Sequence, residues 1–274
     1  MLHDIKKWAV FLLTPFLACS SYDYHAGKFY QGIHHEISAA QFYTKFIERA
    51  PHDFRAAEIN VRLGDIDSHI FHRCSEARRH YETAAREFQD QKEWAQKAQI
   101  GLLSCPDFFP IQPGYLWVYG DSSSKGKNMR LTWKSHSSGN AGENKITSIL
   151  YAGKKQIKKK ETLYQKKDWA IFSEEKKRDI PLLKYPFQSG HSWITQNAAS
   201  ERHFLIESTS ATVKTAAGVF NGCLKVKESY GRFPRSWKYT YYAPFIGWVK
   251  TTIAGPGFES PNTELIRYQA PTKN

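Results

Sequence analysis

Three histidines and a thiol, His69, His72, Cys74 and His80, lie close together in the chain, and imidazole and thiolate are the side chains that hold zinc. Their spacing fits no recognised ligand set, because His69 and His72 are three apart and no carboxylate or second cysteine completes a tetrahedron. They read as helix and loop residues, as does His34-His35-Glu36. His191 beside Ser192 has the residue types of a base and a nucleophile. Adjacent residues of a strand point to opposite faces, which separates the two groups. The sequence has no GxSxG elbow, no HExxH, no phosphate-binding glycine loop and no Cys-Gly-x-Cys pair, the motifs that carry hydrolytic, metal, nucleotide and redox chemistry. No catalytic residue, metal or cofactor is expected, and the chain reads as non-enzymatic.

The thiol with the most definite chemistry is Cys19. Lys6 and Lys7 precede the apolar segment Trp8 to Leu17, and Ala18-Cys19-Ser20 follows at once. The apolar run is too short to span a bilayer and stops at a small residue before cysteine, which reads as a bacterial lipoprotein signal. Residues 1–18 are then a signal peptide cut between Ala18 and Cys19, and the Cys19 sulfur takes a lipid such as palmitate. Phe16 stands where Leu is usual in such a site, three residues before the cysteine. Ser20 replaces the aspartate that often keeps such proteins in the inner membrane, so the expected address is the outer membrane, periplasm-facing or surface-exposed. Export makes a nucleic-acid partner improbable despite the formal charge of +13.

The elements that position these groups divide near residue 105. Residues 20–110 carry 11 Lys and Arg against 13 Asp and Glu, whereas residues 121–184 carry 16 against 7; such a change of sign argues for a domain boundary. The expected class is α+β, with a helical domain over 19–105 and an antiparallel β domain over 106–270. Gly27, Tyr30, Ala39, Tyr43 and Pro51 fall at spacings that resemble the tetratricopeptide repeat, a stacked helix-pair family. Gly64, Ala77, Tyr81 and Ala84 form a second unit. Ala39 to Ala77 and Tyr43 to Tyr81 are both 38 apart, longer than the family's period of about 34, which places an insertion near Asp65 to His72. A last helix over Lys92 to Leu103 closes the array. The start of the helix after Cys74 and the end of the helix before Cys105 lie side by side in an antiparallel pair, so a disulfide between the two cysteines is expected.

Beyond Pro106 short alternating runs, Met129–Lys134, Lys145–Tyr151, Cys223–Glu228, Trp237–Tyr242 and Glu264–Tyr268, read as strands of a sandwich or half-barrel. Turns are expected at Ser138-Gly139, Ala217-Gly218 and Asn221-Gly222. Pro110, Gln112, Gly114 and Trp117 recur as Pro186, Gln188, Gly190 and Trp193, each 76 residues on. The β domain therefore reads as two similar halves, about 108–183 and 184–270. The stretches "YPFQSGHSW", "VKTAAGVFNGCLKVKE" and "YYAPFIGWVKT" resemble a domain of bacterial lipoproteins and periplasmic proteins without assigned catalytic residues, in which Gly is usual where Phe245 stands. That resemblance implies a fold and an envelope address. The function expected from the whole is a membrane-tethered adaptor that binds a protein or peptide through its helices. The alternative is a carrier or sensor of a lipid or other hydrophobic envelope ligand held by the aromatic-rich β domain. The basic run Gly153 to Trp169 offers contact with an anionic envelope component.

Overall fold

The computed structural model describes residues 5–271 except 141, 176, 198, 199, 232 and 234, with side chains from Cys19 onward apart from those of 197 and 200. The first residues of the expected signal, 1–4, and the side chains of 5–18, Ala18 included, therefore lie outside the described residues. The chain forms two compact units, Met1–Cys105 and Pro106–Asn274.

The first unit holds α1 (Ile5–Gly32), α2 (Glu36–Arg49), α3 (Ala56–His69), α4 (Cys74–Glu87) and α5 (Lys92–Leu102). Small residues let these helices approach. Gly27 of α1 lies against the Tyr43 ring of α2, and a Cβ on Gly27 would come within 2.4 Å of it. Gly64 of α3 repeats this against Tyr81 of α4, and Gly101 of α5 also closes on the Tyr81 ring. Gly27, Gly64 and Gly101 are thus spaced 37 and 37 residues apart, with a buried tyrosine standing on each helix contact. The helix pairs turn over in matched fashion. His34 and His72 both take positive φ, 57° and 55°, a region where His is enriched among non-glycine residues. The amide that follows each histidine returns to the preceding helix, His35 to the Tyr30 carbonyl, as in a Schellman-type cap, and Arg73 to the Asp67 carbonyl. Two of the histidines that invite a metal reading therefore sit in the connections between helices.

The expected insertion at Asp65 to His72 is corrected by α3, which runs unbroken through His69. The extra length lies mainly in the α2–α3 connection from Ala50 to Arg55, where Asp53 caps the chain by accepting from the Arg55 amide and guanidinium. Gly64→Ala is expected to cost about 1 to 3 kcal/mol by overpacking against the Tyr81 ring. Urea denaturation would show this as a lower midpoint, with part of the loss recovered when Tyr81→Leu is added.

The second unit is one antiparallel sheet of twelve strands: β1 (Leu116–Asp121), β2 (Met129–Ser137), β3 (Glu143–Ala152), β4 (Lys155–Lys167), β5 (Ala170–Glu175), β6 (Arg178–Lys184), β7 (Ser192–Asn197), β8 (Ser200–Thr215), β9 (Gly218–Tyr230), β10 (Trp237–Ala243), β11 (Gly247–Gly255) and β12 (Phe258–Gln269). The spatial order β6-β5-β4-β3-β2-β1-β12-β11-β10-β9-β8-β7 is two six-stranded meanders zipped together where β1 pairs with β12. The edge strands β6 and β7 approach without a ladder. Trp193 Nε1 donates to the Pro181 carbonyl at 3.2 Å across this gap, so the barrel is nearly closed. Pro181 in β6 is tolerated because an edge strand has no second neighbour to receive its missing donor.

The sequence echo has a structural counterpart. β1 and β7 start and end 76 residues apart, each opened by a glycine of positive φ, 96° at Gly114 and 87° at Gly190. The Gly114 amide donates to Ser135 of β2, and the Gly190 amide to Ile206 of β8. Phe245 and Trp169 are also 76 apart and take φ of 61° and 60° in the β10–β11 and β4–β5 turns. The two contacts are crosswise: the Phe245 amide donates to Asp107 in the opening of the first half, while the Tyr185 amide in the opening of the second donates to Trp169. Glycine is the ordinary residue for such a φ, and nothing in the structure explains why Phe stands at 245. One expected turn is corrected, since Asn221-Gly222 lies inside β9. There the register with β8 shifts, and Gly222 at φ 65° supports a bulge instead of a hairpin.

Candidate functional site

Cys19 is exposed on α1. Tyr22, Phe29 and Ile33, exposed by 65%, 63% and 55%, follow it at intervals that keep to one side of a helix. Ile37 at the start of α2 is also exposed. The candidate lipidation site thus heads an apolar stripe with no linker between. Cys74 and Cys105 are joined in a disulfide, Cα atoms 5.2 Å apart, tying the first residue of α4 to the end of α5. Cys223 is buried on β9, and desolvation pushes its thiol up to about 11, so it is inert at neutral pH.

Gly27, Tyr30, Ala39, Tyr43, Pro51, Gly64, Ala77 and Tyr81, the residues at repeat spacing and so the face expected to bind a partner, are mostly brought together as packing and not as a surface. Ala39, Tyr43, Ala77 and Tyr81 are at most 1% exposed. Tyr30 stacks on Phe42 with ring centroids 5.4 Å apart, and Pro51 lies in the α2–α3 connection. Burial raises both tyrosine hydroxyls well above their ordinary pKa. Tyr43 donates to Gln31 Oε1 at 2.8 Å and Tyr81 to Asp65 Oδ1 at 2.7 Å.

The surface between α1 and α3 is formed by residues that the spacing argument missed. Glu58 of α3 accepts from Tyr24 Oη at 3.0 Å, Lys28 Nζ at 2.8 Å and Arg62 Nε at 2.8 Å. Desolvation opposes ionisation of Glu58, but the hydrogen bonds from Lys28 and Arg62 outweigh it and hold its pKa low. Arg62 Nη1 also donates to Gln31. Lys28 retains 40% of its side-chain exposure. These hydrogen bonds to the ionised Glu58 hold Tyr24, Lys28 and Arg62 in place along α1 and α3. A signal for it existed in the sequence, because Lys28 and Gln31 flank Gly27 by one and four residues on the same helix. The metal candidates are otherwise engaged: His69 Nδ1 contacts Ser68 and the Asp65 carbonyl, and His80 Nδ1 contacts Asn60.

In the β unit, Trp133 of β2 and Trp248 of β11 point inward with Tyr119, Tyr164, Tyr242 and Phe109. Tyr119 stacks on Trp248 at 4.0 Å, Trp133 and Trp248 are 5.1 Å apart, and Phe109 lies 5.1 Å from Tyr164. These rings are core for one another. An acyl chain in this part of the interior would have to displace them. Lys166 also points inward, on the same face of β4 as Tyr164, and its Nζ meets Asp107 Oδ2 at 2.6 Å with both side chains at most 5% exposed.

The opposite face of the same strands carries an open groove of about 390 Å³ lined by Leu116, Thr132, Lys134, His136, Lys145, Thr147, Ile149, Lys159 and Glu161. Strand register explains the clustering. Lys134 lies between Leu116 and Thr147, His136 is directly across from Lys145, and Ile149 lies between Thr132 and Lys159.

No protein-family model matches the sequence, and no curated protein matches it. Solved structures give distant likenesses. A protein described as exported, with a YmcC-like fold, from Bacteroides fragilis aligns over 60% of this chain and 99% of its own, at 15% identity and a TM-score of 0.38. A lipoprotein of Parabacteroides distasonis aligns over 59% and 98%, at 13% identity and 0.40. A β-barrel-like protein built on a domain of unknown function, from Brucella abortus, aligns over 56% and 96%, at 8% identity and 0.28. At scores this low none of them bears on what this chain does.

Proposed function

We propose that the chain is an exported, non-enzymatic envelope protein, tethered to the outer membrane through Cys19, whose helical unit is a tetratricopeptide-like adaptor for a protein or peptide segment. The observation that carries this reading is the recurrence of one contact, a helix glycine under a buried tyrosine at Gly27 with Tyr43 and at Gly64 with Tyr81. Helix pairs built this way stack in series and leave the first helices of successive pairs side by side. Here α1 and α3 offer Tyr24, Lys28 and Arg62 on that side. The apolar stripe that begins at Cys19 supports the tether, because an acyl chain on Cys19 would set Tyr22 and Phe29 at the lipid interface, where amphipathic aromatics are favoured.

Photo-crosslinkers placed at Tyr24 and Lys28 in cells are expected to capture a specific protein, whereas one placed at the exposed Glu87 of α4 is not. Equal capture at both places removes the adaptor reading. Cys19→Ala is expected to abolish palmitate labelling, and labelling that survives the change removes the tether.

A second reading, binding of an envelope lipid by the β unit, is favoured by the basic groove with an apolar floor over β1–β4, outside the ring-packed interior.

A further inference from the structure

The groove over β1–β4 gathers Lys134, His136, Lys145 and Lys159 around one acidic side chain, Glu161. None of the four makes an ion pair among the described residues. Glu161 is turned toward Thr147, whose hydroxyl donates to it at 3.3 Å. His136 and Lys145 are direct cross-strand partners, and Lys134 lies diagonal to Lys145 across the same pair of strands. Lysines placed this close on neighbouring strands gain nothing from each other. The same unit neutralises a strand lysine elsewhere: Lys225 of β9 meets Glu207 at 3.1 Å and Glu259 at 3.0 Å. The groove thus gathers three lysines against a single carboxylate, Glu161.

Its floor is apolar. Leu116 and Ile149, with the Thr132 methyl, lie between the cations, and the volume of about 390 Å³ suits a headgroup-sized molecule and falls within the range of small-ligand sites. Lysine ammonium groups attract phosphate oxygens as point charges, and threonine hydroxyls can donate to them.

We propose that this groove binds a phosphate ester of net negative charge, with the phosphate held by Lys134, Lys145 and Lys159 and a compact less polar part lying on Leu116 and Ile149. The inference rests on the second reading above, in which the β unit binds an envelope lipid, and names the chemistry that it recognises. The ester can belong to an anionic lipid or to a free phosphorylated molecule, and both present the same group.

The test is calorimetric titration of the purified full-length protein with three probes: glycerol 3-phosphate, and monomeric dihexanoyl phosphatidylglycerol and dihexanoyl phosphatidylcholine. Saturable binding of glycerol 3-phosphate is expected if the source is free phosphate, and tighter binding of the phosphatidylglycerol than of the phosphatidylcholine if the source is an anionic lipid. The triple variant Lys134→Gln, Lys145→Gln, Lys159→Gln is expected to weaken the bound probe by about ten-fold or more. A matched triple, Lys155→Gln, Lys158→Gln, Lys160→Gln, removes the same charge from β4 outside the groove and is expected to change affinity by less than about two-fold. Equal losses in the two triples, or no binding of either phosphate probe above the phosphatidylcholine, overturn the proposal. Binding of both lipids alike, unaffected by either triple, overturns it while leaving the lipid-binding reading in place.

Discussion

Asp107→Ala is expected to destabilise the β unit by about 3 to 5 kcal/mol, the usual cost of removing one partner from a buried ion pair. Asp107 does more than neutralise Lys166. Its Oδ1 accepts from the Phe109 amide at 3.0 Å, and its backbone carbonyl accepts from the Phe245 amide at 2.6 Å. The carboxylate therefore holds the opening segment in the shape that presents Phe109 to the interior rings. Without it, the buried Lys166 ammonium loses the carboxylate that stands 2.6 Å away. Adding Lys166→Met should recover a large part of the loss, because the desolvated charge leaves with the side chain. Urea unfolding followed by tryptophan fluorescence reads both changes. A wild-type midpoint in the Asp107→Ala protein would show that the pair contributes nothing.

Replacing both cysteines of the helical unit, Cys74→Ser with Cys105→Ser, is expected to cost about 3 to 4 kcal/mol in the chain-entropy account of a loop of this length. The bond closes a separation of 31 residues that contains all of α4 and α5. Leu102 and Leu103, both buried, lie just before Cys105, so the bond fixes the end of the helix whose Gly101 supports the Tyr81 ring. Hydrogen exchange should accelerate in α5 ahead of α2, and reduction of the wild-type protein should reproduce the double variant. Unchanged exchange in α5 would sink this account.

Much of the architecture was legible in particular residues. The turn from helix to strand composition at Pro106, the alternation in Met129 to Lys134 and the shared spacing of Trp117 and Trp193 all report local demands that any sequence must meet. Chain spacing alone does not assign faces, and the errors arise there. Gly27, Ala39 and Tyr43 were recognisable as a packing set, yet the same spacing cannot say that Tyr43 is enclosed while Lys28 stays open. Gly101 went unread because its partner is Tyr81, which already matched Gly64. Lys166 was hidden inside a run of lysines on β4: alternation puts it on the face opposite Lys159, and its burial shows that this face points inward. The groove over β1–β4 needs residues from four strands, so no single stretch announces it.

The join between β1 and β12 sets an order in time. Leu116 pairs with Gln269, and ordering the long intervening chain is an entropic cost met before that contact repays it. The helical unit is made of neighbouring contacts, which form in microseconds to milliseconds, whereas sheets completed by distant pairing take milliseconds to seconds. As the chain folds, the helices and their disulfide can be in place while β1 still waits for its partner with an unpaired edge. In that interval the β unit is the part open to aggregation and to chaperones, and variants that slow the zipping of β1 to β12 should lower the yield of folded protein more than equally destabilising changes in the helices.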